Sequence, residues 1–185
     1  MLKKIAVTGG IASGKTTVCR MLEELGATVL YTDAIVHDLL QPHTEVGKKI
    51  IRDLGSVDRK TLSEKVFQDP KALQRLEALL HPEVFKTIDQ AYAKAKGTYF
   101  VVEIPLLYEI GAQDRYDLVI VVDCDPEIAK KRFSKGGQEY ELRMQRQIRP
   151  EIKAASAHIV ISNNGDLTEL RRKVHELWNR WHSDA

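Results

Sequence analysis

The sequence predicts an α/β protein built on a parallel sheet. A short apolar run, Ile5-Ala6-Val7, leads through Gly9-Gly10-Ile11-Ala12-Ser13-Gly14-Lys15-Thr16 into a helical stretch that ends near Leu25. A second apolar run, residues 27–31, follows at once, so strand, helix and strand fall within a span that suits a right-handed βαβ unit. Later runs at 98–104, 118–122 and 158–161 read as further strands, and the first of these is apolar enough to be buried on both faces.

The glycine-rich stretch after the first strand (residues 3–8) fits G-x-x-x-x-G-K-[ST], and it stands between a strand and a helix as a phosphate-binding loop (P-loop) requires. Glycines let consecutive N–H groups turn inward around an anion, and the helix over 15–25 aims its positive end at the same place. Backbone N–H groups of Gly10, Ile11, Ala12, Ser13 and Gly14 are therefore expected around the phosphates of a nucleoside triphosphate. Lys15 is expected to reach the β- and γ-phosphates, the Thr16 hydroxyl to ligate Mg²⁺, and Thr17 to donate to the α-phosphate. The expected cofactors are ATP and Mg²⁺.

Gly26 closes the first helix. Asp33 follows the second strand at the carboxyl edge of the sheet, where ligands of open α/β folds bind, and is expected to face the phosphate site. From residue 34 to residue 97 no strand is evident. A helix is expected over 34–40, stopping at Pro42, and another over 44–54. Thr61 and Glu64 form a possible capping box opening a helix over 62–67. Asp69-Pro70 is expected to start a further helix with Leu73, Leu76, Leu79 and Leu80 on one stripe, and Pro82 to start yet another. This stretch is too long for a simple crossover and reads as a helical substrate-binding insertion.

Pro126 opens a helix through Arg132. Residues 133–153 carry Lys135, Arg143, Arg146, Arg149 and Lys153, which suit either a solvated helix face or a lid closing cations over a nucleotide. Asp166 is expected to cap a terminal helix with Leu167, Leu170, Val174, Leu177, Trp178 and Trp181 on one face. The expected organisation is a single domain: a core of residues 1–33, 98–132 and 154–185, the insertion 34–97 and the lid 133–153.

Composition excludes several classes. Of 185 residues 43% are hydrophobic and 29% charged, enough for an ordinary core. A net charge of +2 gives no electrostatic case for nucleic acid. Two cysteines, Cys19 and Cys124, imply no disulfide framework, and Cys19 reads as a small buried hydrophobe. Nothing at the N-terminus resembles a signal peptide and no apolar run is long enough for a bilayer, so a cytoplasmic protein without a membrane partner is expected. A monomer is expected, with weak self-association as the alternative.

A P-loop alone does not separate a small-molecule kinase from a GTPase, an ATPase or a switch. A kinase is favoured by the lack of an N-K-x-D guanine-reading motif, by the helical insertion after the second strand, and by Asp33 as a carboxylate for a substrate hydroxyl. Another small-molecule kinase, for nucleosides or nucleotides, shares this core and is the alternative.

Over nearly its full length the chain resembles dephospho-coenzyme A kinases. Thr8-Gly9-Gly10-Ile11-Ala12-Ser13-Gly14-Lys15 is similar to that family's T-G-G-I-G-S-G-K. Asp33-Ala34-Ile35-Val36-His37-Asp38-Leu39-Leu40 is similar to D-x-[IV]-x-[HR]-x-L-L, and His81-Pro82-Glu83-Val84 to H-P-x-[IV]. Ile104-Pro105-Leu106-Leu107-Tyr108-Glu109 contains the distinctive P-L-L-[FY]-E. Arg143 with Gln147, and Ile161-Ser162-Asn163-Asn164-Gly165, resemble lid and adenine-side motifs.

The resemblance implies ATP-dependent phosphorylation of the ribose 3′-hydroxyl of dephospho-CoA, the last step of coenzyme A synthesis. It implies a P-loop fold with a five-stranded parallel sheet of order 2-3-1-4-5 flanked by helices, a helical CoA domain and a mobile lid. Asp33 would be the base or orienter of the hydroxyl. Lys15 and the loop amides would hold ATP, Arg143 would neutralise the transferred phosphoryl, and Asn163 would lie near adenine. His37, His81, Pro105, Leu106, Leu107 and Glu109 would shape the acceptor site. Residue types alone also allow His37 as a surface residue, His81 as a helix cap, Glu109 as a structural hydrogen-bond partner and Asp33 as an N-cap.

The chain departs from the family pattern at several positions. Ala12 stands where glycine is usual, and its methyl is expected to be tolerable only at negative φ. Tyr31 and Thr32 replace the first two residues of D-A-D. Ala129 and Lys135 stand where Gln and Arg are common, and Lys135 cannot grip phosphate as a fork.

Overall fold

In the computed structural model, which describes residues 1–133 and 137–183, the strands lie within one residue of the apolar runs that predicted them. In chain order the core elements are β1 (Lys3–Gly9), α1 (Lys15–Glu24), β2 (Thr28–Tyr31), β3 (Tyr99–Glu103), β4 (Leu118–Asp123) and β5 (Ile159–Ser162). They form an all-parallel sheet of order β2-β3-β1-β4-β5, the order the resemblance implied. β1 lies between β3 and β4, with Val7 opposite both Glu103 and Ile120. The loop after β1 therefore opens between the carboxyl ends of its two neighbours, as expected for a ligand edge. Ile5, Ala6, Val7, Phe100, Val101 and Val102 are wholly buried.

α1 ends as its sequence predicts. Gly26, at φ 109°, lets its N–H donate to the Glu23 carbonyl, while the Ala27 N–H donates to that of Leu22. At the far end of the chain, the helix Leu167–Ser183 starts on Asp166, whose carboxylate accepts from the Glu169 N–H at 2.8 Å. Its Leu170, Val174 and Leu177 are buried. Trp178 and Trp181 pack on Tyr99 with ring centroids 5.2 and 4.8 Å away, and the Tyr99 hydroxyl donates to the Trp181 carbonyl. Leu167 is the exception on that stripe, at 58% exposed.

The chain divides into two compact units, one of Met1–Leu30 with Ala95–Ala185 and one of Tyr31–Lys94. The second is helical: α2 (Thr32–Leu39), α3 (Glu45–Leu54), α4 (Arg59–Gln68) and α5 (Pro70–Lys94). Leu40, Val46, Ile50, Leu54, Leu62, Ala72 and Leu80 make its core. The Thr44 hydroxyl caps α3 by accepting from the Gly47 N–H at 2.8 Å.

Local details differ from expectation. The cap of α4 is Asp58, accepting from the Thr61 N–H at 2.9 Å, so Thr61 lies inside the helix and no Thr61–Glu64 box opens it. Pro82 does not start a helix; α5 runs through it. An internal proline removes one helical hydrogen bond, but Leu80, Val84 and Ile88 are buried at i, i+4 and i+8 across it, and their packing outweighs that loss. His81 is accordingly an internal, half-buried helix residue and not a cap. Asp33 is likewise not an N-cap: Tyr31 holds that position, and Asp33 sits exposed in the first turn of α2.

Beyond β4, α6 (Pro126–Arg132) starts on Asp125, whose carboxylate accepts from the Glu127 N–H at 2.9 Å. Residues 133–153 are more than a solvated face. They hold α7 (Gly137–Met144) and the start of α8 (Pro150–Ala155), and Tyr140 and Lys153 are buried. Tyr140 packs with Cys124 and Ala129 in a cluster that Ile11, Ala12, Phe133 and Met144 join, so the phosphate loop leans on α6 and α7. Lys135 lies outside the described residues. The terminal helix Leu167–Ser183 is α9.

Candidate functional site

The loop between β1 and α1 is shaped by a few steric constraints. Gly14, at φ 99°, is the N-cap of α1, and a Cβ there would fall 2.3 Å from the Asn163 amide nitrogen. That amide donates to the Ser13 carbonyl at 2.8 Å, so residues 150 positions apart lock the loop to the end of β5. Gly9 has no more room: a Cβ would fall 2.2 Å from the Val122 carbonyl oxygen. Ser13 Oγ is buried with no hydrogen-bond partner among the described residues.

Ala12 departs from expectation, because it adopts φ 54° and carries its methyl group in the left-handed region. That conformation costs an L-residue about 1–2 kcal/mol. Ala12→Gly is therefore expected to raise Tm by about 2–4 °C, the shift that about 1 kcal/mol gives a chain of this size. Thermal denaturation checks this, and a lower Tm would show that the methyl's contacts in the Tyr140 cluster outweigh its strain.

Lys15 is only 8% exposed, and its Nζ donates to the Gly10 carbonyl at 2.6 Å. The amine is thus held over the loop whose amides surround it. The Thr16 hydroxyl donates to Glu103 Oε1 at 2.8 Å. Glu103 ends β3, is 8% exposed, and brings a carboxylate to the residue expected to ligate Mg²⁺. It stood unnoticed in the sequence inside an apolar strand. Two hard oxygen groups beside a phosphate loop suit Mg²⁺, which takes a few protein oxygens and completes its shell with phosphates and water. No cluster of three or more His, Cys, Asp or Glu side chains suited to a metal exists among the described residues. Cys19, next to this pair, is pushed well above the ordinary thiol range by burial, with Glu103 adding to it. It stays a thiol and acts as a small hydrophobe.

A cavity of about 490 Å³ opens beside the loop. Ala12, Gly14, Lys15, Thr16 and Thr17 of the loop and α1 line it together with Arg132 of α6 and Asn163, Gly165, Asp166, Leu167 and Leu170 from the end of β5 into α9. The lining combines loop residues and the Lys15 cation with the side chain of Leu167, which is 58% exposed. Polar groups beside an apolar side chain suit a nucleotide, which carries both phosphates and a base. Arg132 fixes the segment after β5: its guanidinium donates to the Asn163 carbonyl at 2.7 Å and the Gly165 carbonyl at 2.9 Å. Neither Arg132 nor Leu167 was singled out in the sequence as a site residue, since their roles depend on where the loop after β5 comes to lie.

The other expected residues are distributed as follows. Arg143 is exposed on α7, pairs with Glu139 at 2.6 Å, and lies 5.6 Å over the Phe133 ring. Of the 105–109 stretch, Leu106 is 39% exposed and Leu107 fully buried. Glu109 accepts from the Ile148 N–H and pairs with Lys153. Asp33, His37 and His81 belong to the helical unit, with Asp33 and His37 exposed on α2. No helix among the described residues is long and apolar enough to cross a membrane.

Comparison with known proteins identifies the family. The family model for dephospho-CoA kinase matches residues 3–169. A protein of Protochlamydia amoebophila named dephospho-CoA kinase is 41% identical, covering 96% of this chain and 95% of its own. A crystal structure of a Thermus thermophilus protein superposes with a TM-score of 0.85 at 30% identity, covering 97% of both chains. A dephospho-CoA kinase from Campylobacter jejuni gives 0.71 at 26% identity, covering 97% of this chain and 96% of its own. The phosphate loop, the sheet order and a similarity that runs almost from end to end place this chain in the dephospho-CoA kinase family.

Proposed function

We propose that the chain transfers the γ-phosphoryl group of ATP to the ribose 3′-hydroxyl of dephospho-CoA, completing coenzyme A. The observation that carries this is the 41% identity to a dephospho-CoA kinase across 96% of the chain.

Phosphoryl transfer asks a protein for alignment and charge compensation, with little covalent chemistry. The loop amides and Lys15 hold the triphosphate, and Lys15 exchanges the Gly10 carbonyl for phosphate oxygens. Thr16, with Glu103 behind it, would hold Mg²⁺, which would neutralise phosphate charge. Asp33 orients the acceptor hydroxyl and takes its proton. Arg143 releases Glu139 and turns to the phosphoryl group, so α7 behaves as a lid that also excludes water. Adenine sits beside Leu167, with Asn163 bracing the phosphate loop. Acceptor-binding roles fall to His37, His81 and the 105–109 stretch, and the enzyme acts as a monomer in the cytoplasm.

Incubation with Mg·ATP and dephospho-CoA is expected to yield a product heavier by one phosphoryl group, at the mass of CoA. A folded protein giving no such product, or one whose ATP turnover is competed by nucleosides and not by dephospho-CoA, would overturn the proposal. Glu103→Gln is expected to raise the Mg²⁺ concentration for half-maximal rate by about tenfold, the low end of what loss of a supporting carboxylate costs a metal site. A Mg²⁺ titration unchanged from wild type would assign Glu103 a packing role only.

A further inference from the structure

We infer that Lys153 is a positioning residue for the acceptor site, holding the 105–109 stretch in place from α8; this rests on the assignment of that stretch to the acceptor. Lys153 has no exposed side-chain surface. Its Nζ lies 2.7 Å from Glu109 Oε1 and donates to the Pro105 carbonyl at 3.3 Å. A buried ammonium is tolerated only when acceptors replace its water. Here both acceptors come from the two ends of one stretch, so a single amine clamps the turn that presents Leu106 to solvent.

The clamp joins other parts of the site. Glu109 Oε1 also accepts from the Ile148 N–H at 2.9 Å, which ties the chain entering α8 to the same carboxylate. The Tyr108 hydroxyl donates to the Ser156 carbonyl at 2.9 Å, just past the end of α8. The Pro105 carbonyl takes a second donor, the Thr8 hydroxyl, at 3.3 Å, and Thr8 immediately precedes the phosphate loop. At the start of α8, the Pro150 ring lies where a Cβ on Gly10 would meet it at 3.7 Å. α8 is therefore fastened to the acceptor stretch before, within and after the helix, and it rests on the phosphate loop.

Replacing a whole buried ion pair by apolar side chains of similar volume costs many proteins no stability. What an apolar residue cannot do is fix direction: it sets no distance between α8 and the two ends of the turn. Glu109 Oε2 has no hydrogen-bond partner among the described residues, so the Lys153 amine carries the neutralisation of that carboxylate. Losing the amine frees the turn and leaves a buried carboxylate that must find water or move. Movement by about 1 Å in a substrate-positioning segment costs up to about 10²-fold in rate.

The test compares Lys153→Met with Glu109→Gln and Leu106→Ala, all assayed well below their own Tm. Lys153→Met is expected to raise KM for dephospho-CoA about tenfold or more, with KM for ATP within about twofold of wild type, the selectivity that displacement of one segment predicts. Glu109→Gln keeps the shape and an acceptor for Ile148, and it is expected to show a smaller rise with the same selectivity; it carries the test if Lys153→Met does not fold. Leu106→Ala, at an exposed position of the stretch, is expected to raise the same KM without lowering Tm. If Leu106→Ala raises KM for dephospho-CoA while the Lys153 and Glu109 variants change only Tm, the positioning role is overturned and the acceptor assignment stands. If Leu106→Ala leaves that KM unchanged, the acceptor assignment fails and the proposal with it. Equal losses toward both substrates in the Lys153 and Glu109 variants would mean general loosening of the fold, and they too overturn the proposal.

Discussion

Asp33→Asn is expected to lower kcat by about 10²–10⁴-fold, the range for removing a general base. Affinity for Mg·ATP is expected to be retained, because no residue of the phosphate loop changes. Asn keeps the size of the side chain and can still accept a hydrogen bond from the ribose hydroxyl, so KM for dephospho-CoA should move much less than kcat. That split separates proton removal from binding. Asp33 lies exposed in the first turn of α2, where four backbone N–H groups lack helical partners and a carboxylate is favoured by the helix dipole. Removing the charge there weakens α2 by about 0.3–1 kcal/mol. Tm therefore belongs in the same experiment, as does direct ATP titration. Turnover near that of wild type would leave Asp33 as a helix-terminus residue and would return the search for the base to the other exposed groups of α2.

Lys15→Ala is expected to act on the other substrate. The side chain is almost wholly buried against its own loop, so its amine is pre-placed before any nucleotide arrives. Removing it takes away a charge that grows more useful as negative charge shifts in the transition state. A fall in kcat of about 10²–10³-fold, comparable with loss of one preorganised donor, is expected together with weaker ATP binding. Calorimetric titration of ATP and steady-state rates check the two parts separately. Unchanged ATP affinity would mean that the loop amides carry the triphosphate alone and that the Gly10–Lys15 contact is structural.

These two residues also show what the chain discloses before folding. Lys15 was legible because a phosphate loop needs small residues at fixed spacing, a backbone requirement written locally. The strands were legible for a similar reason: a strand buried on both faces must be a continuous apolar run, and the runs at 98–104 and 118–122 could be little else. Glu103 was hidden by that very rule, since a carboxylate inside Val101-Val102-Glu103-Ile104 gains meaning only when Thr16, from another element, comes to meet it. Lys153 was hidden by charge, because a lysine among five cations reads as surface until α8 folds it inward. The continuity of α5 through Pro82 was also illegible: local propensity argues for a break, and only the packing of Leu80, Val84 and Ile88 overrides it. The bracing of Ser13 by Asn163, which no local pattern encodes, lies 150 residues away. Asp33 was legible in identity, but its place inside α2, two residues after the Tyr31 cap, was not.

Both tryptophans of the chain sit on α9 against Tyr99, with Trp178 about 12 Å along the helix from Leu170 at the cavity rim. Intrinsic emission excited at the indole band will thus follow the seating of the last helix on the central sheet, and nucleotide titrations should leave it nearly silent. That makes it a clean monitor of melting for the variants described above, and it obliges occupancy to be followed by an external label or by heat.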